Sequence, residues 1–370
     1  MNEEAIAERE VRVPVRRRSC AAKPTLCMIN YNGERFLRDS LRSVQAEEFA
    51  EILLIDNGSR DESIEIVRRE FPSVRIIVLP DNRGAAAARN AALREARTGL
   101  VLLVDNDVSL APGCVALLEE ALAEHPHALI AAPAVLYAHK RSLIQYDGAD
   151  NHFIGLMTLH HENRPLSDAN LETRQVGSVI TACFLVDRSR LPDHEPFDES
   201  FFIYFEDHDF GVRMRALGHE ILSVPAARCY HGEGTDGLSI RKLGEYSKNR
   251  VFYLIRNRWL FLFKNYALRS LALLSPALLL YELVQLVIVV KKGWIREWLR
   301  AIIWLLRHAP SALERRRRIQ GARKNPDRVL LSGGPLPFRD ELAAGRLERA
   351  GRRMLDAILG WYWNRVARLI

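Results

Sequence analysis

The sequence predicts an α/β body, a mostly parallel central sheet flanked by helices, followed by a helical, membrane-associating C-terminal extension. Three observations carry that prediction. Short apolar runs alternate with segments of helical period over roughly the first hundred residues, the pattern of repeated strand–helix–strand units. The run Leu100–Val104 is wholly apolar, as a strand buried on both faces must be, and it stops at Asp105-Asn106-Asp107. The charge is also partitioned: residues 241–370 hold 27 Lys and Arg against 9 Asp and Glu, and residues 1–240 hold 26 against 37. An acidic body is thus joined to a basic tail, which points to an anionic surface as partner.

Residues 1–22, which carry Arg16, Arg17 and Arg18 but no apolar core, are expected to be a peripheral arm and not a secretory signal. Pro24–Ile29 is the first strand; Phe36, Leu37, Leu41 and Val44 then recur with helical period. Glu51–Ile55 is a second strand, after which Ser59 or Asp61 is expected to cap a helix carrying Ile64, Ile66 and Val67. Val74–Leu79 is a third strand, and the alanines from Ala85 to Ala92 demand a helix before the Leu100 strand. Right-handed crossovers then make the sheet parallel and gather the carboxyl ends of its strands along one edge. A helix near Val115–Ala123 follows, with strands at Ala128–Ala132 and Val176–Val186 around a polar segment, Asp147–Arg174, expected to be a flap. Leu222–Ala226 is a last strand, leading to His231 and a glycine-flexed loop.

At 370 residues and 48% apolar, the chain can bury a large core. Five cysteines without paired or zinc-type spacing fit a reduced, cytosolic setting. No glycine-rich dinucleotide loop and no Walker loop occurs, so phosphates need another source of positive charge. Asp105 and Asp107 supply one: residues i and i+2 of an extended chain point the same way, and two hard carboxylates suit Mg2+ or Mn2+, implying a diphosphate-bearing substrate. Asp56 can accept hydrogen bonds from a base or ribose, and Arg89, near a helix start, can meet a phosphate. The segment Phe197–Arg213 sets Glu206, Asp207, His208 and Asp209 among aromatics, where apolar walls raise a carboxylate's basicity and a general base can be made. The same acids would equally complement a helix N-terminus.

Six motifs in order, Asn30-Tyr31-Asn32, Ile55-Asp56-Asn57-Gly58-Ser59, Asn82-Arg83-Gly84 with Arg89-Asn90, Asp105-Asn106-Asp107, Phe205-Glu206-Asp207-His208-Asp209 and Tyr230-His231-Gly232, resemble the family 2 glycosyltransferases of the GT-A fold. The likeness is greatest to bacterial rhamnosyltransferase-like members that extend cell-surface polysaccharides, and it covers roughly Thr25 to Asn265. It implies an inverting, metal-dependent transfer of a sugar, rhamnose by first guess, from a nucleotide-diphosphate donor to a hydroxyl of a lipid-linked or polysaccharide acceptor. By that resemblance Asp56 binds the nucleobase, Asp105 and Asp107 hold the metal, His231 adds a metal or phosphate contact, and Asp207 is the base. Asn30, Asn32, Asn57, Asn82, Gly84, Arg89, Asn106 and Glu206 are then substrate contacts. The segment Gly177–Phe184 departs from the Gly-Ala-x-Met often found in relatives, and acceptor contacts there fall to Thr181 and Cys183.

The chain is thereby divided into an arm (1–22), a catalytic region (23–265) and a basic amphipathic helical region (266–370). Leu271–Val290 has about the length that crosses a bilayer, but Pro276, Glu282 and Gln285 interrupt it and both flanks are basic. A helix lying among the headgroups, or a hairpin completed by Trp294–Leu306, is therefore expected on the cytoplasmic face of the inner membrane, peripheral or monotopic. Leu347, Met354, Leu355, Ile358, Tyr362, Val366 and Leu369 form a further stripe in the tail. The alternatives are that these helices pack on the catalytic region or form a homodimer seam. A nucleic-acid-binding protein with a basic tail and a silent scaffold are the other readings. Trp294, Trp298 and Trp304 sit with leucines and isoleucines, which favours lipid, so no nucleic-acid partner is expected.

Overall fold

The computed structural model describes residues 23–192, 196–232, 247–337 and 345–370. The expected N-terminal arm, with Cys20, lies outside these residues, and so does the loop expected beyond Gly232.

Four strands set the frame: β1 (Thr25–Asn30), β2 (Glu51–Asp56), β3 (Arg75–Val78) and β4 (Leu100–Asp105). They run in the order β3-β2-β1-β4, each pair parallel. Alternate residues serve opposite faces. Leu26, Met28, Leu54, Leu102 and Val104 meet α1 (Leu37–Val44) and α2 (Ser63–Glu70), while Cys27, Ile29, Leu53 and Val101 meet the alanines of α3 (Gly84–Glu95). The cap of α2 is not the expected one. Glu62 holds the cap position, Asp61 accepts the Ser63 amide at 3.1 Å, and the Ser59 hydroxyl is taken by the Asn32 amide at 2.8 Å.

Beyond β4 the sheet turns mixed. β5 (Val108–Leu110) and α4 (Cys114–Glu124) lead to β6 (Ala128–Tyr137) and β7 (Lys140–Tyr146), which pair antiparallel. The first part of the segment Asp147–Arg174 is not a flap, since β8 (Ala149–His152) and β9 (Leu156–Leu159) form a hairpin whose tip residues Phe153 and Ile154 are fully buried, whereas residues 161–173 are mostly exposed. After β10 (Arg174–Gln175), only the end of the expected Val176–Val186 strand is extended, as β11 (Cys183–Asp187), inserted antiparallel between β4 and β6. Then come α5 (Glu206–Ala216) and β12 (Glu220–His231), parallel to β6 and antiparallel to β5.

The C-terminal part is helical: α6 (Lys248–Asn265), α7 (Leu268–Lys291), α8 (Ile295–Arg307), α9 (Ala309–Ala322), the single turn α10 (Asp327–Leu330) and α11 (Arg346–Val366). One apolar cluster joins Phe153, Phe201 and Val212 of the sheet side to Leu274, Leu278, Leu355 and Leu359 of these helices. The tail stripe is rotated from the expected one: Leu355, Tyr362 and Val366 pack inward with Leu359, whereas Met354, Ile358 and Leu369 are exposed. Nothing is described of the Leu347 side chain. Cys27, Cys114, Cys183 and Cys229 are buried free thiols.

Candidate active site

A cavity of about 650 Å³ opens at the carboxyl ends of β1, β2 and β4, where the strand order reverses. Strand β4 ends at Asp105, so Asp105 and Asp107 do not converge by the expected alternation along extended chain. A turn at Asn106-Asp107 swings the chain into β5, whose Val108 pairs with His231. The Gly232 amide donates to the Asp107 carbonyl at 2.8 Å, and a Cβ at Gly232 would lie 3.1 Å from that oxygen, so glycine permits the closure. One ligand atom from each of Asp105, Asp107 and His231 lies within 4.8 Å of the others.

This donor set fits a divalent metal. The His231 Nε2 is 3.3 Å from Asp107 Oδ1, and its Nδ1 is 2.9 Å from Gln145 Oε1. The amide oxygen can only accept, so it fixes the proton on Nδ1 and leaves the Nε2 lone pair directed at the carboxylates, the arrangement of ligating histidines. Asp105 Oδ1 accepts from Arg89 at 2.8 Å, which still leaves a carboxylate capacity for a cation.

The second acidic group stands at the start of α5. Phe202, Tyr204 and Phe205 hold φ of 64°, 64° and 69°, costly for residues with a Cβ, and this kinked loop delivers Glu206 and Asp207 to the cavity. Asn257 on α6 secures it by donating to the carbonyls of Phe201, Ile203 and Tyr204 at 3.0, 2.8 and 2.7 Å, and Arg256 donates to Ser200 and Phe201. On the other side the Ala85 amide reaches the Phe202 carbonyl at 2.7 Å, an approach possible because Gly84, at φ 87°, has no Cβ.

Arg89 bridges Asp105 and Glu206, the latter at 3.2 Å, and also reaches the Thr181 carbonyl. Burial pushes the Glu206 carboxyl well above the usual carboxylate range, helped by the Asp207 charge and opposed by Arg89. Burial raises the Asp207 carboxyl too, Asp105 adding to the rise while the His208 amide and Arg89 oppose it. Behind them His208, between Ser178 and Asn151, is pulled down to about 3 by burial and is neutral.

Residues 25–189 match the model of the glycosyl transferase family 2. Over that stretch the chain is similar to the family 2 glycosyltransferases. Over 222 residues it is 26% identical to the N-acetylglucosaminyl-diphospho-decaprenol L-rhamnosyltransferase of Mycobacterium tuberculosis, an alignment covering 54% of this chain and 71% of that one. Over 88 residues it is 35% identical to an uncharacterized glycosyltransferase of Haemophilus influenzae, covering 22% of this chain and 35% of that one. The solved structure of GalNAc-T7 with UDP, GalNAc and Mn2+ superposes with a TM-score of 0.54 at 15% identity over 69% of this chain and 50% of that one, which establishes a GT-A-like fold.

Here the expected site residues divide into layers. Asn57, Asn82, Gly84, Arg89, Asn106, Thr181 and Glu206 line the cavity together with Asp105, Asp107, Asp207 and His231. Asn57 donates to Asn82 Oδ1 at 3.1 Å and accepts from the Arg83 amide. Asn30 and Asp56 are fully buried one layer behind. Asn30 donates to Asp56 at 2.7 Å and accepts from Asn106 at 2.7 Å, and Asp56 also takes the Ser59 amide. Asn32 accepts the Arg60 amide at 2.9 Å and braces the two loops. Two expectations are corrected. Cys183, the first residue of β11, packs in the core with Leu102 and Val104 and does not line the cavity, whereas Thr181 and Ala182, which precede the strand, do. Arg89 is engaged by Asp105 and Glu206 and not held out for a phosphate. Sequence reasoning missed Gln145, Asn257 and Arg256, and it missed that α6 and α7 wall the cavity with Arg258, Tyr281 and Gln285.

Proposed function

We propose that the chain transfers a hexosyl group, rhamnose from a thymidine-linked donor being the first candidate, to a hydroxyl of a lipid-linked or cell-surface glycan with inversion at the anomeric carbon. The observation that carries this reading is the single cavity lined by both Asp207 and the Asp105, Asp107 and His231 group. The printed name of the mycobacterial relative supports the sugar and a lipid diphosphate acceptor.

Asp105, Asp107 and His231 are the residues that would hold Mg2+ or Mn2+, and such a cation when bound supplies positive charge against the departing diphosphate. Asp56, behind Asn57 and Asn82, takes the nucleobase side. Asp207 accepts the proton of the acceptor hydroxyl as that oxygen bonds to the anomeric carbon, and the bond to the diphosphate oxygen breaks on the opposite side. Its burial makes it a stronger base than an exposed aspartate. Arg89 bridges Asp105 and Glu206 and offsets the repulsion between the acidic groups, so that they can stand close together at the cavity. Residues 23–265 carry the chemistry and 266–370 hold the enzyme on the cytoplasmic face of the inner membrane.

A panel of nucleotide sugars, assayed with lipid-diphosphate-linked N-acetylglucosamine as acceptor, tests this reading. Metal-dependent transfer with inverted anomeric configuration by NMR is expected; transfer with retained configuration, or none from any donor, refutes it.

A further inference from the structure

The cavity has two chemically different ends. One is the carboxylate end described above. The other is walled by Leu254 and Ile255 of α6, Val284, Ile288 and Val289 of α7, and Trp294, and the polar side chains that these helices also bring to the cavity are engaged within the protein, Arg258 by Glu282 and the Ile154 carbonyl and Gln285 by the Tyr281 hydroxyl. A sugar needs hydrogen-bonding partners and finds few among these side chains, whereas a hydrocarbon chain needs none.

Helix α7 is two-faced in a way that connects this end to a surface. Ser270, Leu274, Ala277, Leu278, Tyr281 and Val289 are buried along its inner side, and Arg258 pairs with Glu282 from the catalytic body. On the opposite side Leu279, Leu283, Val287 and Val290 are 61%, 62%, 65% and 56% exposed, a stripe at helical spacing. Because the inner side is docked over about 28 Å of its length, by the helical rise, α7 cannot cross a bilayer without drawing the catalytic body into hydrocarbon. It can lie flat on one. The following helix continues the surface with exposed Ile295, Leu299, Ile303 and Leu306. Its rim is cationic: Lys291, Lys292, Arg296, Arg300 and Arg307 are exposed, and the one acid between them, Glu297, is buried. That complements anionic headgroups. Ile288 belongs to the cavity wall and is still 36% exposed, which marks where the apolar end reaches the outside next to the stripe.

We propose that the α6–α7 end of the cavity is a hydrocarbon subsite for the lipid tail of a membrane-anchored acceptor, entering past Ile288 from an anionic bilayer on which α7 lies in plane. This rests on the lipid-linked acceptor proposed above.

Thermal stabilisation of the full chain by farnesyl phosphate, with inorganic phosphate as headgroup control, reads the subsite. Co-sedimentation with phosphatidylglycerol vesicles reads the face. Farnesyl phosphate should raise Tm where phosphate does not, and Val284→Trp and Ile288→Asn should each remove that rise while stabilisation by thymidine diphosphate with Mn2+ persists. The double variant Leu283→Glu, Val287→Glu should cut vesicle binding at least about tenfold, two apolar anchors having become charges, and keep the farnesyl phosphate response. The subsite is overturned if farnesyl phosphate acts no better than phosphate, or if its effect survives both cavity variants. The bilayer face is overturned if the stripe variant sediments with vesicles like the parent, or if light scattering reveals a dimer that this variant breaks. Thymidine diphosphate with Mn2+ reads the donor site separately, so loss of that response, not of the lipid response, counts against the transferase reading.

Discussion

Burial raises the Asp207 carboxyl, and if Asp207 is the base proposed above, its protonated form cannot take a proton from an acceptor. Asp207→Asn keeps the shape and removes the function, so transfer should fall by about a hundredfold or more while nucleoside diphosphate binding by calorimetry stays near that of the parent. Because the folded pKa is raised, activity should be lost on acidification at a pH above the ordinary aspartate value of about 3.9; an acid limb at or below that value would falsify the assignment. Gln145 makes a different kind of contribution, through His231. Gln145→Leu frees the imidazole tautomer, and Mn2+ affinity should weaken by roughly ten- to a hundredfold with kcat less affected at saturating metal. Unchanged Mn2+ binding would remove Gln145 from the site. Asp105, Asp107, Asp207 and His231 were legible in the sequence because each ends an apolar run or sits among aromatics. Gln145 was not, since its meeting with His231 depends on β6 standing between β7 and β12, a long-range register that no local pattern records.

At the level of elements, the decisive join is between α5, its kinked approach and α6. The loop Phe201–Phe205 stays in an unfavourable conformation because Asn257 ties down three of its carbonyls. Asn257→Asp turns the donor into a carboxylate facing those oxygens. Displacing the loop by about an ångström should lower kcat by on the order of a hundredfold with nucleotide affinity retained, and a parental kcat would mean the loop holds itself. A second tie is ionic. Lys264, buried on α6, pairs with Asp198 and with Asp209 at 3.0 Å, while Arg315 and Arg213 complete the network. Burial works to raise both carboxyls, but the cations more than reverse it and both stand below the usual range. A depressed folded pKa means the stabilisation is complete above the unfolded aspartate value of about 3.9 and drains away as pH falls through the folded value. Urea midpoints should therefore be flat in this respect from pH 7 to about 4 and drop below it. Lys264→Met leaves two buried carboxylates without their shared cation and should cost roughly 3–5 kcal/mol at neutral pH, a loss that shrinks on acidification. In the sequence, Asn257 and Lys264 look like ordinary polar positions of a basic helix, and only their burial distinguishes them.

For the molecule as a whole, the parallel half of the sheet was readable because each strand and helix announces itself by local period, and the ligand edge follows from the order of strands. The antiparallel half was not. The strand β5 has three residues and β10 has two, too few for any period, and the β8–β9 hairpin joins polar Asp150, Asn151 and His152 to an apolar run from Phe153 without strand alternation, its tip packed in one cluster with the C-terminal helices. That packing makes the cavity a joint property of the sheet edge and of α6 and α7, so a ligand in it bears on the stability of the whole fold. A ligand that binds only the folded form adds about 2.7 kcal/mol at a hundred times its Kd. Thymidine diphosphate with Mn2+ should accordingly raise the melting temperature by several degrees in a concentration-dependent way. The chelator EDTA should abolish the shift, and Asp105→Ala should lose nucleotide and metal responses together because one carboxylate serves both the cation and the Arg89 bridge. If nucleotide stabilises equally with and without chelator, Asp105, Asp107 and His231 meet for reasons of folding alone, and the positive charge against the diphosphate must come from the chain's own cations.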